Sequence, residues 1–275
     1  MKRLLIAVAA AAVLLSGCAT STTTPDLESV DGETTLELAA SAIAPNDLVG
    51  IWHVSDADGT GDETWLRLDS SLLLGNPCGS AFGAWSARGD DFLAAMIGYY
   101  PECGESTDWL TAATGFSRDE NGDLILTGAD GEALATLTAD GVPPDSFDWE
   151  PLTDYDIAQV ELPDAAPLPA GATPVTDLVG TWLPVENASG RPASLTLRAN
   201  GEWASKECNG FGGRWALGSD DSILTTSGVS TLIFCGEPIP PVGSWITGAT
   251  TVGMVGDELT LYDADGAVLG SLVRA

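Results

Sequence analysis

Positive charge is scarce in this sequence. Its 275 residues hold 10 lysines and arginines against 40 aspartates and glutamates, a formal charge of −30. A surface so anionic repels phosphate backbones and anionic lipid headgroups, which excludes nucleic-acid binding and electrostatic docking to membranes. Histidine is nearly absent as well, and the single His53 rules out a histidine-rich metal centre. Cysteine is limited to five, an odd number that leaves one thiol to be explained in an exported chain. The apolar run from Leu4 to Leu15 is twelve residues long, too short to cross a bilayer as a permanent helix. What is present is ample material for packed cores: 44% of residues are hydrophobic, and the length suits one or two domains, so the charge excess does not imply disorder.

The N-terminus carries Lys2 and Arg3, then the apolar run, then Ser16, Gly17 and Cys18. That order is a signal peptide over residues 1–17. The stretch Leu15-Ser16-Gly17-Cys18 resembles the bacterial lipobox, which implies cleavage before Cys18 and diacylglycerol on its sulfur. Two or three acyl chains hold a protein firmly on a membrane, at about 0.8 kcal/mol per buried methylene. The expected location is therefore the cell membrane, lipid-anchored, on the extracytoplasmic face. The mature chain would keep eight cations against forty acids, a formal charge of −32. Residues 18–45, rich in Ala, Thr, Ser and acidic residues, read as a flexible tether.

A search for internal repeats is the most informative step. Asp47-Leu48-Val49-Gly50-Ile51-Trp52 recurs as Asp177-Leu178-Val179-Gly180-Thr181-Trp182. At the same shift Cys78 falls on Cys208, Gly83 on Gly213, Trp85 on Trp215 and Asp90-Asp91 on Asp220-Asp221. After small insertions Cys103-Gly104-Glu105 matches Cys235-Gly236-Glu237, Trp109 matches Trp245, and Leu124-Ile125-Leu126 matches Leu259-Thr260-Leu261. So many uncommon residues in one order make the chain two copies of a small domain, over 46–139 and 176–275. The intervening 140–175 carries prolines at 143, 144, 151, 163, 167, 169 and 174 and reads as an extended linker. Because Phe147, Trp149 and Tyr155 interrupt it, residues 145–162 are expected to pack on one of the domains.

Strand signals dominate both copies. Leu124 to Thr127 and Ala133 to Leu137 flank a glycine turn, as do Leu259 to Tyr262 and Ala267 to Val273, which is the pattern of a hairpin. Further strands are expected at Gly50 to Val54, Thr64 to Leu68, Ala81 to Ser86, Gly180 to Pro184, Ala193 to Arg198, Gly201 to Ala204 and Gly212 to Leu217. Short helices fit near Asp108 to Ala113 and Ser244 to Thr250. The expected fold class is mainly β, α+β at most: two tandem small antiparallel sheets or partly open barrels, each with at most one short helix.

With Cys18 committed to lipid, four cysteines remain, two per copy, in a compartment where disulfides persist. A repeat that once folded alone selects Cys78 with Cys103 and Cys208 with Cys235. Each bridge would close a loop of roughly 25 residues, worth about 3 kcal/mol in the chain-entropy model. Free buried thiols, a redox pair or a four-thiolate metal site are the alternatives.

The C-terminal copy resembles the META domain, the family of the heat-inducible HslJ lipoproteins. The resemblance rests on Leu178-Val179-Gly180-Thr181-Trp182, Cys208-Asn209-Gly210-Phe211-Gly212-Gly213, Thr231-Leu232-Ile233-Phe234-Cys235, and Leu259-Thr260-Leu261 before the acidic turn Asp263-Ala264-Asp265-Gly266. It covers nearly all of 177–273. The N-terminal copy departs from it: Cys78-Gly79-Ser80 lacks the asparagine, and no threonine stands four residues before Cys103. Pro238-Ile239-Pro240-Pro241 also stands where family members carry a more helical segment. The resemblance implies a compact β-rich domain of the cell envelope, in a family without an established catalytic site and linked to stress tolerance and secretion. It carries over no active-site residue and no cofactor.

Chemical motifs are few. His53 has Leu183 as its counterpart, and no Gly-x-Ser-x-Gly or similar nucleophile motif accompanies it. Asp56, Asp58 and Asp62 alternate around glycines as in a calcium loop, yet the same composition serves a hairpin turn, and turn chemistry is the favoured reading. Of nine tryptophans, six are matched between copies and read as core. Trp65, Trp149 and Trp203 are unmatched, which leaves them as candidates for a surface that contacts sugar or peptide. The expected function is a non-catalytic envelope lipoprotein in stress, maintenance or binding, whose protein or glycan partner the sequence does not name. The alternatives are a secreted carboxylate-dependent hydrolase of envelope glycans, or a divalent-cation-binding surface protein.

Overall fold

The computed structural model describes residues 43–77, 79–99, 107–139, 141–188, 190–219, 221–231 and 239–275. Cys18, Cys78, Cys103 and Cys235 lie outside the described residues, as do residues 1–42, where the signal peptide and most of the tether are expected.

The described chain is mainly β. The first copy contributes β1 (Gly50–Ser55), β2 (Trp65–Leu68), β3 (Leu72–Asn76), β4 (Gly79–Arg88), β5 (Asp91–Tyr99), β6 (Gly115–Arg118), β7 (Leu124–Thr127) and β8 (Ala133–Thr138), with α1 (Asp108–Ala112) before β6. These strands pair in sequence order, and β8 returns to β1 with Val54 opposite Leu137, so the barrel closes. After α2 (Asp154–Ala158), the second copy contributes β9 (Gly180–Pro184), β10 (Ser194–Leu197), β11 (Glu202–Lys206), β12 (Gly210–Leu217), β13 (Ile223–Thr225), α3 (Val242–Gly248), β14 (Thr251–Val255), β15 (Glu258–Tyr262) and β16 (Val268–Arg274). They form one antiparallel sheet in the order β13-β12-β11-β10-β9-β16-β15-β14. Among the described residues its two ends meet through the single bridge Ser222 to Thr251. The expectation of partly open barrels thus describes the second copy, while the first is closed.

The Leu-x-Gly-x-Trp opening has a local physical cause. In both copies the indole N–H donates back to the leucine carbonyl four residues earlier, Trp52 to Leu48 at 2.8 Å and Trp182 to Leu178 at 2.9 Å. A Cβ on Gly50 would stand 2.9 Å from the Trp52 ring, so glycine is required where the ring folds over the chain. Leu48 and Leu178 are buried beneath. Alternation does the rest: Leu124 and Leu126 in β7, Leu195 and Leu197 in β10, and Leu259 and Leu261 in β15 all point inward into one core per copy. Each fully buried leucine contributes about 2 kcal/mol. The matched turns also agree in backbone, with φ +77° at Gly131 and +78° at Gly266, values that favour glycine.

Trp65 and Trp203 are core residues, 6% and 1% exposed, which corrects their assignment to a contact surface. Trp149 is half-buried against Phe147, their ring centroids 5.3 Å apart, and both rings cover Gly75 of β3. The segment between the copies is no free linker. Arg67 of β2 donates to the Glu150 carbonyl at 2.7 Å. Thr153 and Asp156 cap α2 reciprocally. Thr251 Oγ1 donates to the buried Ala166 carbonyl at 2.7 Å, and Thr173 pairs with Met254 of β14 in both directions at 2.9 Å. It is a strap laid over both copies, and Tyr155, 71% exposed, is the aromatic that does not pack. The proline stretch before α3 does not prevent a helix, because Pro240 and Pro241 end before its first residue.

Candidate functional site

The two barrels meet through equivalent elements. Strand β12 packs on β5, and β13 packs on β4 and β5, where β4 corresponds to β12 and β5 to β13. This reciprocity is that of a two-fold contact between like subunits, here within one chain. Two arginines clamp it. Arg88, at the end of β4, crosses to the Ile223 carbonyl at 2.5 Å and the Thr250 carbonyl at 3.3 Å, and its Nε donates to Pro163 of the strap at 2.9 Å. Arg214, in β12, crosses the other way, to the carbonyls of Ala94 at 2.8 Å and Thr111. Burial pushes both guanidiniums down from their ordinary value, Arg88 against Asp164 and Asp91 and Arg214 against Glu202, and both stay charged. Asp91 Oδ2 accepts from the Ser219 N–H at 2.8 Å. A Cβ on Gly218 would sit 2.5 Å from that carboxylate, which explains the glycine.

Beside the clamp lies a cleft of about 600 Å³, in the range of small-ligand sites and at a domain boundary, where such sites concentrate. Ala95, Met96 and Ile97 of β5 form one wall. Gly212, Gly213 and Arg214 of β12 form another, with Arg198, Asn200 and Glu202 as polar lining and Val229 as a further apolar lining residue. Gly213 belongs there for steric reasons, since a Cβ would stand 1.9 Å from the Thr226 carbonyl. Trp203 supports the floor, donating to that same carbonyl at 3.0 Å. Arg198 and Glu202 form an exposed ion pair at 3.1 Å. The cleft therefore offers apolar walls, an amide, one carboxylate and two guanidiniums, which suits recognition of a polar molecule by contact.

The residues singled out in the sequence fall elsewhere. His53 Nε2 bonds the Asp62 carbonyl at 2.8 Å and its ring meets Trp65 edge-on, a structural tie across the turn. The Asp56 to Asp62 loop is two successive turns, Thr60 N–H to Ala57 and Thr64 N–H to Gly61, with Asp56 at φ +60°. Among the described residues no three metal-ligating side chains converge, so Asp56, Asp58 and Asp62 do not form a cation cage. Cys208 is disulfide-bonded, and every other cysteine lies outside the described residues.

One further group has unusual chemistry. Burial pushes the Glu207 carboxyl up, opposed by the N–H groups of Gly243 and Val242 at the start of α3 and by the Ser205 hydroxyl. Glu207 Oε2 and Ser205 Oγ are buried without a hydrogen-bond partner among the described residues. Sequence reasoning missed Glu207, Arg88, Asp91 and Arg214. The available signal was an arginine standing inside an apolar strand of a chain so poor in cations.

No family model, curated protein or solved structure matches the chain.

Proposed function

We propose that this chain is a membrane-anchored lipoprotein of the cell envelope, with tandem META-like domains that act together as a non-catalytic binding module. The observation that carries the binding role is the clamped cleft: two barrels held in reciprocal contact by Arg88 and Arg214 create a cavity that neither copy encloses alone. Among the described residues that line it the one carboxylate is Glu202, exposed and paired with Arg198, an arrangement suited to orienting a polar group rather than to moving protons. The lipobox-like Leu15 to Cys18 and the residues shared with the META pattern support the envelope setting.

Two measurements test this reading. Intact mass of the membrane fraction should show diacylglycerol on Cys18, and an unlipidated secreted chain would remove the anchor. Capture from intact envelopes should recover a component with the native chain but not with Val229→Arg, which fills the cleft from a position 76% exposed and so leaves the fold intact. Equal recovery by both would displace the site from the cleft.

The hydrolase reading keeps one observation in its favour, the raised carboxyl of Glu207. Turnover of an envelope glycan by the native chain, lost in Glu207→Gln, would promote it.

A further inference from the structure

The contact between the copies has two seams, and the same two-fold relates them. At the first, β4 faces β13 and the end of α3; at the second, β12 faces β5 and the end of α1. Equivalent threonines, Thr247 and Thr111, line the two, each two residues beyond its matched tryptophan. The first seam is filled by the protein's own chain. Glu161, Leu162 and Pro163 of the strap lie in it without helix or strand structure and leave a space of about 270 Å³. Arg88 holds that segment through Nε to the Pro163 carbonyl at 2.9 Å, and the carboxylate of the next residue, Asp164, supports the charge of the guanidinium. The second seam has no described segment in the corresponding place, and it is the open cleft of about 600 Å³.

The open seam has the donors to hold a segment of the same kind. Arg214 makes both of its carbonyl bonds through one nitrogen, Nη1, which leaves Nε and Nη2 unbonded, and neither of those atoms is sealed from solvent. Strand β5 pairs with β4 along its length but with β6, among the described residues, at Asp91 opposite Gly115 alone, so its other edge is unpaired beyond Phe92. Alternate residues of an antiparallel strand turn their backbone groups to one side, which puts the Met96 N–H on the side where the Ala94 carbonyl meets Arg214. Two guanidiniums against one carboxylate also make this lining attractive to anions, in a chain that elsewhere repels them. Given that the cleft is the binding site, we propose that its occupant is an extended peptide carrying an acidic residue, laid in the second seam as Glu161 to Asp164 lies in the first. Its backbone carbonyls accept from Arg214 and from the Met96 N–H, and its carboxylate faces Arg198.

The test follows the methyl signals of ε-¹³C-methionine in the full-length chain. Met96 lines the cleft and Met254 pairs with Thr173 of the strap, and each signal is assigned by its loss in Met96→Leu or Met254→Leu. The probes are a capped peptide of the strap sequence Val160 to Ala166, the segment that the first seam already holds, its Asp164→Asn form, and trigalacturonate as a glycan of like charge. The expected result is a saturable shift of Met96 with the acidic peptide while Met254 stays in place, and binding about two- to fivefold weaker for the asparagine form. Arg198→Gln should weaken the acidic peptide by about two- to fivefold and Glu202→Gln should tighten it by a similar factor, since this pair is exposed. No shift of Met96, a shift of Met254 that reports displacement of the strap instead, or an equal or larger response to trigalacturonate overturns the proposal. Envelope capture lost in Val229→Arg while the peptides leave Met96 unmoved would keep the cleft as the site and overturn its peptide occupant, whereas equal capture by both chains would remove the site itself.

Discussion

The two barrels began from one pattern and ended at different degrees of closure. In the first, β5 runs nine residues and reaches β6 at Asp91 opposite Gly115, completing a ring of eight strands. In the second, the equivalent β13 keeps three residues and joins β14 by one bridge. Both nevertheless hold a leucine and tryptophan core with the same Trp-to-Leu hydrogen bond at its entrance. The comparison shows that the inward apolar alternation and a helix packed on each core carry the fold, while the last ladder between sheet ends can be shed. It can be shed because the neighbouring copy covers the gap: Arg88 bonds Ile223 and Thr250 at the seam between β13 and β14.

Core truncation should give the largest effect and should ignore the difference in closure. Leu137→Ala in the closed barrel and Leu272→Ala in the open one, both fully buried, should each cost about 2–5 kcal/mol in urea unfolding. A cost confined to the closed barrel would mean that the second core is loosely packed. Exchanging the residue beneath the helix tryptophan comes next. Gly270→Ala forces Trp245 off the sheet and should cost about 1–3 kcal/mol by overpacking, whereas Ala135→Gly in the first copy should cost about 1 kcal/mol, read from the same titrations. Equal costs would erase the distinction between the two tryptophans.

Smaller effects depend on charge. Glu207 has a folded-state value above its unfolded one, so the folded chain binds this proton more tightly. Its contribution is fully present below the ordinary carboxylate range and is lost as pH rises through the raised value. Glu207→Gln should therefore be neutral near pH 4 and stabilising near pH 7, a trend with no counterpart in the first copy, where Pro77 occupies the matching position. A gain in stability independent of pH would remove the carboxyl as its source. Smallest should be the screening effect: with so large an excess of acids, added salt should raise the melting temperature by relieving self-repulsion. A melting temperature unchanged by salt would contradict that.

Much of this architecture was legible in the sequence. Gly180 to Pro184 and Leu124 to Thr127 read as strands to the residue, because alternation and flanking turns agree there. Strands β3, β5, β6, β13 and β14 were not legible. Leu72 to Gly75 and Phe92 to Gly98 are continuous apolar runs with no period of two, which periodicity alone cannot assign to a strand. Trp203 escaped as a core residue since its counterpart in the first copy is not aromatic, yet its neighbours Thr226 and Gly213 are what bury it. The strap read as an extended linker through its prolines, while its aromatics pointed to the packing of 145–162. A proline fixes φ and withholds a donor, but its carbonyl still accepts, as Pro163 does from Arg88. The cleft was illegible for a general reason: it is made by two elements a hundred residues apart, and no local pattern announces such a meeting.

Calorimetric unfolding of the full-length chain tests the clamped pair most directly. The native chain should unfold in one cooperative transition, and the double variant Arg88→Met with Arg214→Met should split it into two, one for each barrel. Two transitions in the native chain, or an unsplit transition in the double variant, would contradict the assignment of these arginines as the clamp that forms the cleft.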